Sequence, residues 1–290
     1  MNKPLNKQPS TAGLRLGGDS MEVAAMTALL IGSIGLFSLL APGFLTATNF
    51  GSMSMQLPEL GLLSLAMLLP IISGGLNLSV TFTANIAGLM TAWLVQGLLA
   101  GMGILSVPMA IIAGLAVGAA AGFLIGVIVA YVGAHPILVS LGAMIFLQGV
   151  GEFLTRGGGM SGMPEVFQTI GSGSFLGIPI PMLIFLAAAA GLIYIMHFTR
   201  TGFSIYMLGS NPRATEYSGI NVKRVLITVY TISGILAGLA GMVMLARFNS
   251  VRVGHGESYL LITVLACFLA GANPFGGFGR VLPLVLGLMS

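Results

Sequence analysis

The sequence predicts an all-α, polytopic membrane protein, a helix bundle of about eight to ten transmembrane helices. Hydrophobic residues make up 56% of its 290 residues and charged residues only 6%, whereas a soluble chain of this length carries about 25% charged residues. The apolar residues fall in runs long enough to cross a bilayer. The chain also contains 43 glycines, which are typical of helices that pack closely in lipid.

The predicted division of the chain is a flexible polar tail, residues 1–20, followed by one transmembrane domain, residues 21–290. A last apolar stretch, residues 281–290, would form a helix of about 15 Å, too short to cross roughly 30 Å of hydrocarbon. It is therefore re-entrant or cut short. The predicted spans before it are Val23–Leu40, Leu57–Ile72, Leu78–Leu99, Ile104–Val132, Pro136–Phe153, Pro179–Phe198, Val225–Ala246 and Tyr259–Gly271.

The lysines and arginines predict the orientation, because they concentrate in cytoplasmic loops. With the N-terminus in the cytoplasm, three basic residues fall outside, namely Arg156, Arg247 and Arg252. Eight fall inside, namely Lys3, Lys7, Arg15, Arg200, Arg213, Lys223, Arg224 and Arg280. The net charge of +4 is spread over these loops, which indicates membrane orientation and not nucleic-acid binding. One cysteine, Cys267, excludes an intrachain disulfide and argues against a metal cluster.

A polar island interrupts the second half of the chain at residues 209–222. Asn211 is a favourable helix N-cap, Pro212 suits the first helical position, and Gly219 can end a helix in the left-handed conformation. Residues 212–218 are therefore predicted to form a helix of about two turns, which is too short to be stable alone. Its apolar face needs a packing partner, and that face consists of Ala214, Tyr217 and Ile220.

This island resembles the cytoplasmic coupling loop of ABC importer permeases of the ribose and simple-sugar branch, which has the form G-x-N-x-x-A-A-x-x-S-G-I. Thr215 stands where the family has a second alanine. In that family the short helix sits in a cleft of the ATP-hydrolysing subunit, so the resemblance implies a coupling loop at about residues 199–224. The residues implied to couple to the ATPase are Asn211, Ala214, Glu216, Tyr217, Ser218, Gly219 and Ile220.

Three further segments resemble the family in the right order: 73–80, 133–142 and 268–288. The first, SGGLNLSV, is similar to G-G-I-D-L-S-V-G but has Asn77 in place of the acidic residue. The family pattern continues for about one and a half spans beyond Ser290, so the resemblance favours a truncated C-terminus over a re-entrant one.

The resemblance implies a permease subunit that carries a sugar or related small polar solute into the cytoplasm across the bacterial inner membrane. No nucleotide-binding P-loop is found in the sequence, so ATP would be hydrolysed by a separate ATPase subunit. The family also implies a periplasmic or lipid-anchored solute-binding protein and a second permease copy or paralogue. The subunit itself would be neither an enzyme nor a cofactor carrier.

Polar side chains within the predicted spans are candidates for the substrate pathway. Asn77, Thr81 and Asn85 recur every four residues and would form a stripe on one helix face. Such a stripe lines a pathway or forms hydrogen bonds between helices, and the sequence leaves both open. Gln148, one turn from Glu152, is a further pathway candidate. Gln148 and Glu59, which lies near the start of its span, are each either a polar contact of the pathway or a side chain that reaches the membrane interface. Glycines at 114, 118, 122 and 126 predict close helix packing only.

Two other functions are weighed against this one. An ion-coupled secondary transporter needs ionisable groups deep in its spans, whereas the charges here are predicted at span ends and in loops. An intramembrane serine protease could use Ser161 in a G-x-S-G segment with His197 or His255, but no span is predicted to begin beneath that serine.

Overall fold

The computed structural model describes residues 18–41 and 43–289, and it is a helix bundle with two very small sheets. The twelve α-helices among the described residues are α1 (Gly18–Leu40), α2 (Ala47–Ile72), α3 (Val80–Gln96), α4 (Ser106–Val127), α5 (Pro136–Thr155), α6 (Glu165–Ser172), α7 (Ile180–Phe198), α8 (Arg200–Ser210), α9 (Pro212–Tyr217), α10 (Val222–Phe248), α11 (Tyr259–Leu269) and α12 (Val281–Met289).

The predicted fold class, an all-α polytopic membrane bundle, is confirmed. Six of the described helices are long and apolar enough to cross a membrane: α1, α2, α4 with its π-helical extension Ile128–Val132, α5, α7 and α10. The 17 residues of α3 span about 25 Å. The segment predicted as the span Tyr259–Gly271 is an 11-residue helix, about 16 Å long, which does not cross by itself.

Other boundaries differ from the predicted ones for local reasons. The first span was expected at residue 23, but α1 already begins at Gly18, so residues 18–20 of the predicted tail 1–20 are helical. Residues 1–17 of that tail lie outside the described residues. Helix α2 begins ten residues before the predicted Leu57, because the Thr46 hydroxyl accepts a hydrogen bond from the Asn49 N–H and caps an earlier start.

The predicted outer loop 155–178 contains regular structure. Strand β1 (Gly159–Ser161) pairs antiparallel with β4 (Ser250–Arg252), and β2 (Ser174–Phe175) pairs with β3 (Ile178–Pro179). Between them α6 packs on the end of α10. These elements cover the predicted outer end of the bundle.

Helix α2 lies at the centre of the bundle. It packs against α7, α10, α11 and α12, and every residue from Gly61 to Ser73 is buried. Because the helix is apolar on all sides, it suits a position surrounded by other helices. The main hydrophobic core forms around it.

The glycine stripe of α4 packs directly on α10, and this is the most extensive helix contact in the bundle. A side chain at Gly118 or Gly122 would collide with the backbone of Gly234 or Tyr230. The predicted packing role of the stripe is therefore what the structure shows.

Candidate functional site

Helix α9 is short and is closed at both ends by the residues that the sequence predicts. The Asn211 Oδ1 accepts a hydrogen bond from the Ala214 N–H at 3.1 Å. Pro212 occupies the first helical position, and Gly219 has the left-handed φ of +79° that ends the turn. The helix ends at Tyr217, one residue earlier than predicted.

The predicted apolar face of α9 is divided between two directions. Tyr217 is 92% exposed and Ala214 is also exposed, whereas Ile220 packs against the main core. Thr215 is fully buried and its hydroxyl donates to the Asn211 carbonyl at 2.8 Å. One side of α9 therefore rests on the bundle through Thr215, and the other presents Ala214 and Tyr217 to the exterior. The remaining predicted coupling residues, Asn211, Glu216, Ser218 and Gly219, are exposed around them.

Behind α8 and α9 three backbone segments meet, and we call this contact the glycine junction. It comprises residues 72–74 at the end of α2, residues 209–210 at the end of α8, and residues 276–279 in the loop after α11. The Gly277 N–H donates to the Ile72 carbonyl at 2.8 Å, and the Tyr206 hydroxyl donates to the Gly279 carbonyl at 2.7 Å. Burial raises the pKa of Tyr206, so its hydroxyl keeps the proton that it donates.

The junction was not predicted from the sequence. Its three segments overlap motifs already noted in the sequence, at 73–80, 209–222 and 268–288, and each motif has glycine near the contact, since close backbone approach needs glycine. No local pattern indicates that the three segments meet.

The polar stripe predicted at Asn77, Thr81 and Asn85 does not form one helical face. Helix α3 begins at Val80, so Asn77 lies in the break between α2 and α3. Its amide donates to the Ser233 Oγ at 3.0 Å, and the Ser233 hydroxyl donates to the Ala66 carbonyl of α2 at 2.7 Å. Asn77 therefore joins the break to α10 and α2 inside the bundle.

The other two members of the stripe are also buried. With its amide oriented to match its neighbours, Asn85 donates to the His255 carbonyl at 3.0 Å and accepts from the Gly254 N–H at 3.1 Å. The Thr81 hydroxyl is buried and has no hydrogen-bond partner among the residues that the structure describes. These contacts make Asn77 and Asn85 parts of interhelical and helix–loop hydrogen bonds, while their role in transport stays a prediction.

Glu59 lies where the sequence did not place it. It is fully buried near the middle of α2, and its Oε1 accepts a hydrogen bond from Arg247 of α10 at 2.7 Å. Glu59 is therefore held inside the protein by an ion pair and is not exposed at the start of a span, because α2 begins ten residues before the predicted Leu57. Its position relative to the membrane interface stays a prediction. Arg247, predicted in an outer loop, lies in the last turn of α10.

Gln148 is half-buried on α5, which is among the least buried of the long helices. Two apolar grooves flank α5. One of about 440 Å³ lies between α5 and α4, and a second of about 370 Å³ lies between α5, α3 and α4. Gln148 itself lines neither groove.

Ser161 and His255, considered above as possible protease residues, line one groove at the predicted outer face. Within the described part of the chain no hydrogen bond joins them. The Ser161 carbonyl accepts from Gln96 at 2.7 Å, and the Nδ1 of His255 is buried without a partner. The arrangement therefore lacks the nucleophile–base contact of a serine hydrolase.

Comparison with known proteins gives a family. Residues 49–282 match the family described as "Branched-chain amino acid transport system / permease component". The chain belongs to this permease family. It is similar to the ribose import permease protein RbsC of Escherichia coli (strain K12), at 35% identity over 277 residues, which cover 93% of this chain and 83% of the relative.

A second group of relatives is the autoinducer 2 import system permease protein LsrD. The protein of Salmonella typhi is 32% identical over 264 residues, which cover 89% of this chain and 78% of the relative. The search of solved structures finds no significant match. The resemblance to import permeases of the ribose branch is confirmed, and the chain is a multi-pass membrane permease. Neither the ion-coupled transporter nor the protease is favoured by these relatives.

Proposed function

We propose that this permease subunit imports a sugar or a related small polar solute and is driven by ATP hydrolysed on a separate subunit that docks against α9. The relatives are named for ribose and autoinducer 2 import, and their similarity supports a solute of this kind. The observation that carries the proposal is the division of α9. Thr215 fixes its inner side, while Ala214 and the 92% exposed Tyr217 are left for a partner.

Helix α9 is held firmly enough to transmit the movement of a bound partner to the rest of the protein. A helix of six residues is not stable alone, but the Asn211 cap, the buried Thr215 and the left-handed Gly219 hold it in one orientation. The large exposed ring of Tyr217 projects beside the small side chain of Ala214, and a cleft in a partner protein can bind this uneven surface. Tyrosine is also enriched among residues that dominate binding energy.

The other partners follow from the permease class. A solute-binding protein would deliver the solute at the predicted outer face, and a second permease copy or paralogue would complete the pore in the bacterial inner membrane. The long exposed surface of α5, with its two flanking grooves, supports α5 as the helix that meets this second copy. Gln148 of α5 is then a candidate contact of the pathway.

The test is to change the exposed side of α9, at Ala214, and to measure how well the ATPase subunit binds. Ala214→Glu would add a carboxylate to a contact that excludes water, at a cost of about 3 kcal/mol, or roughly a hundredfold in association. The matched control is Arg213→Ala on the same helix, because an exposed charge contributes about 0–1 kcal/mol. The measurement is the amount of ATPase that co-purifies with each variant from native membranes.

Three outcomes separate the alternatives. Loss of the ATPase from Ala214→Glu but not from Arg213→Ala supports the proposal. Normal ATPase retention and ATP-driven uptake of labelled ribose by Ala214→Glu would remove α9 as the docking element. Uptake that follows a proton or sodium gradient without ATP would favour an ion-coupled transporter.

A further inference from the structure

Helices α8 and α9 touch the rest of the bundle at the glycine junction as well as through their covalent links to α7 and α10. Gly209, at the end of α8, lies so close to the junction that a side chain there would collide with the Ile72 carbonyl and the Gly277 N–H. The contact is therefore made by backbone atoms of three segments that are distant in sequence.

The loop side of the junction is equally close. A side chain at Gly276 would place its Cβ 2.8 Å from the Gly74 Cα and 2.9 Å from the Gly209 carbonyl oxygen. Gly276 also has a left-handed φ of +89°, which disfavours any other residue. Most of these contacts are between backbone atoms, although the Ser210 and Ile72 side chains also reach Gly277 and Gly279, so side-chain movement offers little room to absorb a displacement of α8.

The break after α2 continues the contact to α5. A Cβ at Gly75 would lie 2.9 Å from the Cβ of Pro136, the first residue of α5. The Ser140 hydroxyl of α5 lies 3.1 Å from the Leu76 carbonyl and shares its one proton between that carbonyl and the Ile137 carbonyl of its own helix at 3.2 Å. The break therefore holds the first turns of α5, while the rest of that helix lies largely exposed beside its two grooves.

We propose that the break at residues 73–79 relays the movement of α8 and α9 to α5, with the glycine junction as the first contact and the bond from Ser140 to Leu76 as the last. This inference rests on the proposed docking of the ATPase at α9. It adds Tyr206, Gly276 and Ser140 as positioning residues that touch neither ATP nor solute. The competing route runs through the covalent connections from α9 to α7 and α10 and bypasses the break.

The experiment measures movement of α5 against α2 in the assembled complex. Cysteines replacing Gly51 on α2 and Gly149 on α5 provide the two label sites, since a side chain at either glycine meets no described atom of its own subunit within 4 Å. Because α5 is proposed to meet the second permease copy, the labelled complex is first shown to retain that copy and the ATPase. The native Cys267 is buried and stays unlabelled. The spin-labelled permease is combined with the ATPase that co-purifies with it. The distance between the labels is measured without nucleotide and with ATP and vanadate.

Two variants interrupt the relay. Tyr206→Phe removes only the hydroxyl that donates to Gly279, so the loop after α11 is held less firmly against α8 and most of the distance change at α5 should be lost. Gly276→Ala forces the three backbones apart and should reduce the distance change further. The matched controls are Tyr194→Phe, an exposed tyrosine of α7, and Gly177→Ala, whose φ is +81° but whose Cβ meets open space.

The expected result is that both junction variants keep the bound ATPase and its ATP hydrolysis but lose most of the distance change, while both controls keep it. A full distance change in Tyr206→Phe and Gly276→Ala would overturn the relay and favour the route through α7 and α10. Loss of the ATPase from both junction variants would also overturn it, because the junction would then support docking. If the parent complex binds no ATPase, the proposed function itself fails and takes this inference with it.

Discussion

Helices α2 and α5 have almost equal mean hydropathy, yet they occupy opposite positions in the bundle. More than three quarters of the most apolar part of α2 is buried inside the protein, against about a tenth for α5. Both helices were predicted as spans by the same criterion. Hydropathy therefore identifies a helix that lipid accepts, but it does not say which neighbours the helix has.

The difference in burial between α2 and α5 arises from the residues that allow each helix to contact its neighbours. In lipid the apolar surface alone does not drive helices together, and packing and polar pairing decide their association. On α2, Gly61 lets the Phe185 ring of α7 lie against the backbone, and Glu59 pairs with Arg247 of α10. On α5, Gly142 and Gly149 face open space. The features that place α2 at the centre are thus a few specific contacts.

The largest expected effect concerns the ion pair that joins α2 to α10. Arg247→Leu should destabilise the protein by about 3–5 kcal/mol, because Glu59 would remain buried without its partner. Thermal unfolding in detergent, followed by loss of the monodisperse peak, measures this effect. Arg252→Leu, which changes an exposed arginine, should leave the unfolding temperature nearly unchanged.

A double variant separates pairing from packing. Glu59→Leu combined with Arg247→Leu removes both charges and should recover most of the lost stability, since apolar replacement of a buried pair is often neutral. A double variant as unstable as Arg247→Leu alone would mean that the arginine acts through its packing on Phe248, whose ring lies 4.9 Å from the guanidinium.

The second prediction changes the same residue type on both helices. Leu68 of α2 is fully buried and Leu138 of α5 is 67% exposed. Leu68→Ala should lower the free energy of unfolding by about 2–4 kcal/mol. The truncated side chain leaves a cavity inside the protein, whether lipid or detergent surrounds the bundle. In the isolated subunit, where no second copy covers α5, Leu138→Ala should change the free energy of unfolding by less than about 0.5 kcal/mol. The check is the difference in unfolding free energy under identical detergent conditions. Equal losses would mean that α5 is covered in the purified assembly, as a second copy would cover it.

Local sequence patterns were sufficient where the structure depends on neighbouring residues. The cap at Asn211, the first-turn proline at 212 and the left-handed Gly219 all act within a few residues, and the predicted α9 is present. The stripe from Gly114 to Gly126 predicted close packing because its period matches a helix face.

Contacts between distant segments could not be predicted in this way. The pairing of Glu59 with Arg247 joins residues 188 apart in sequence, and the glycine junction joins three segments that share no local pattern. The stripe at Asn77 failed because its helix begins at Val80, a boundary set by how the break packs. The burial of Thr215 also depends on the bundle behind α9.

The third prediction tests Asn77 as a link inside the bundle. Asn77→Ala removes the amide that donates to Ser233 and the oxygen that accepts from the Ser79 hydroxyl at 2.7 Å. Loss of these buried partners should cost about 1–3 kcal/mol. Denaturation of the variant gives this value. Unchanged stability combined with reduced solute uptake would instead place Asn77 on the substrate pathway.

The smallest effect on stability is expected for Gln148, the polar candidate on the exposed helix. Its side chain is half-buried, and substitutions away from buried networks usually change stability by less than about 0.5 kcal/mol. Gln148→Ala should therefore leave the unfolding temperature and the bound ATPase unchanged. If Gln148 contacts the solute between two permease copies, uptake of the labelled solute should fall while basal ATP hydrolysis persists. Gln148→Glu keeps the size of the side chain and adds a charge, so a pathway position should respond to it more strongly than to alanine. A loss of stability comparable to that of Asn77→Ala would show instead that Gln148 is buried against a neighbouring helix in the assembly. The contrast in burial between α5 and α2 would then hold only for the isolated chain.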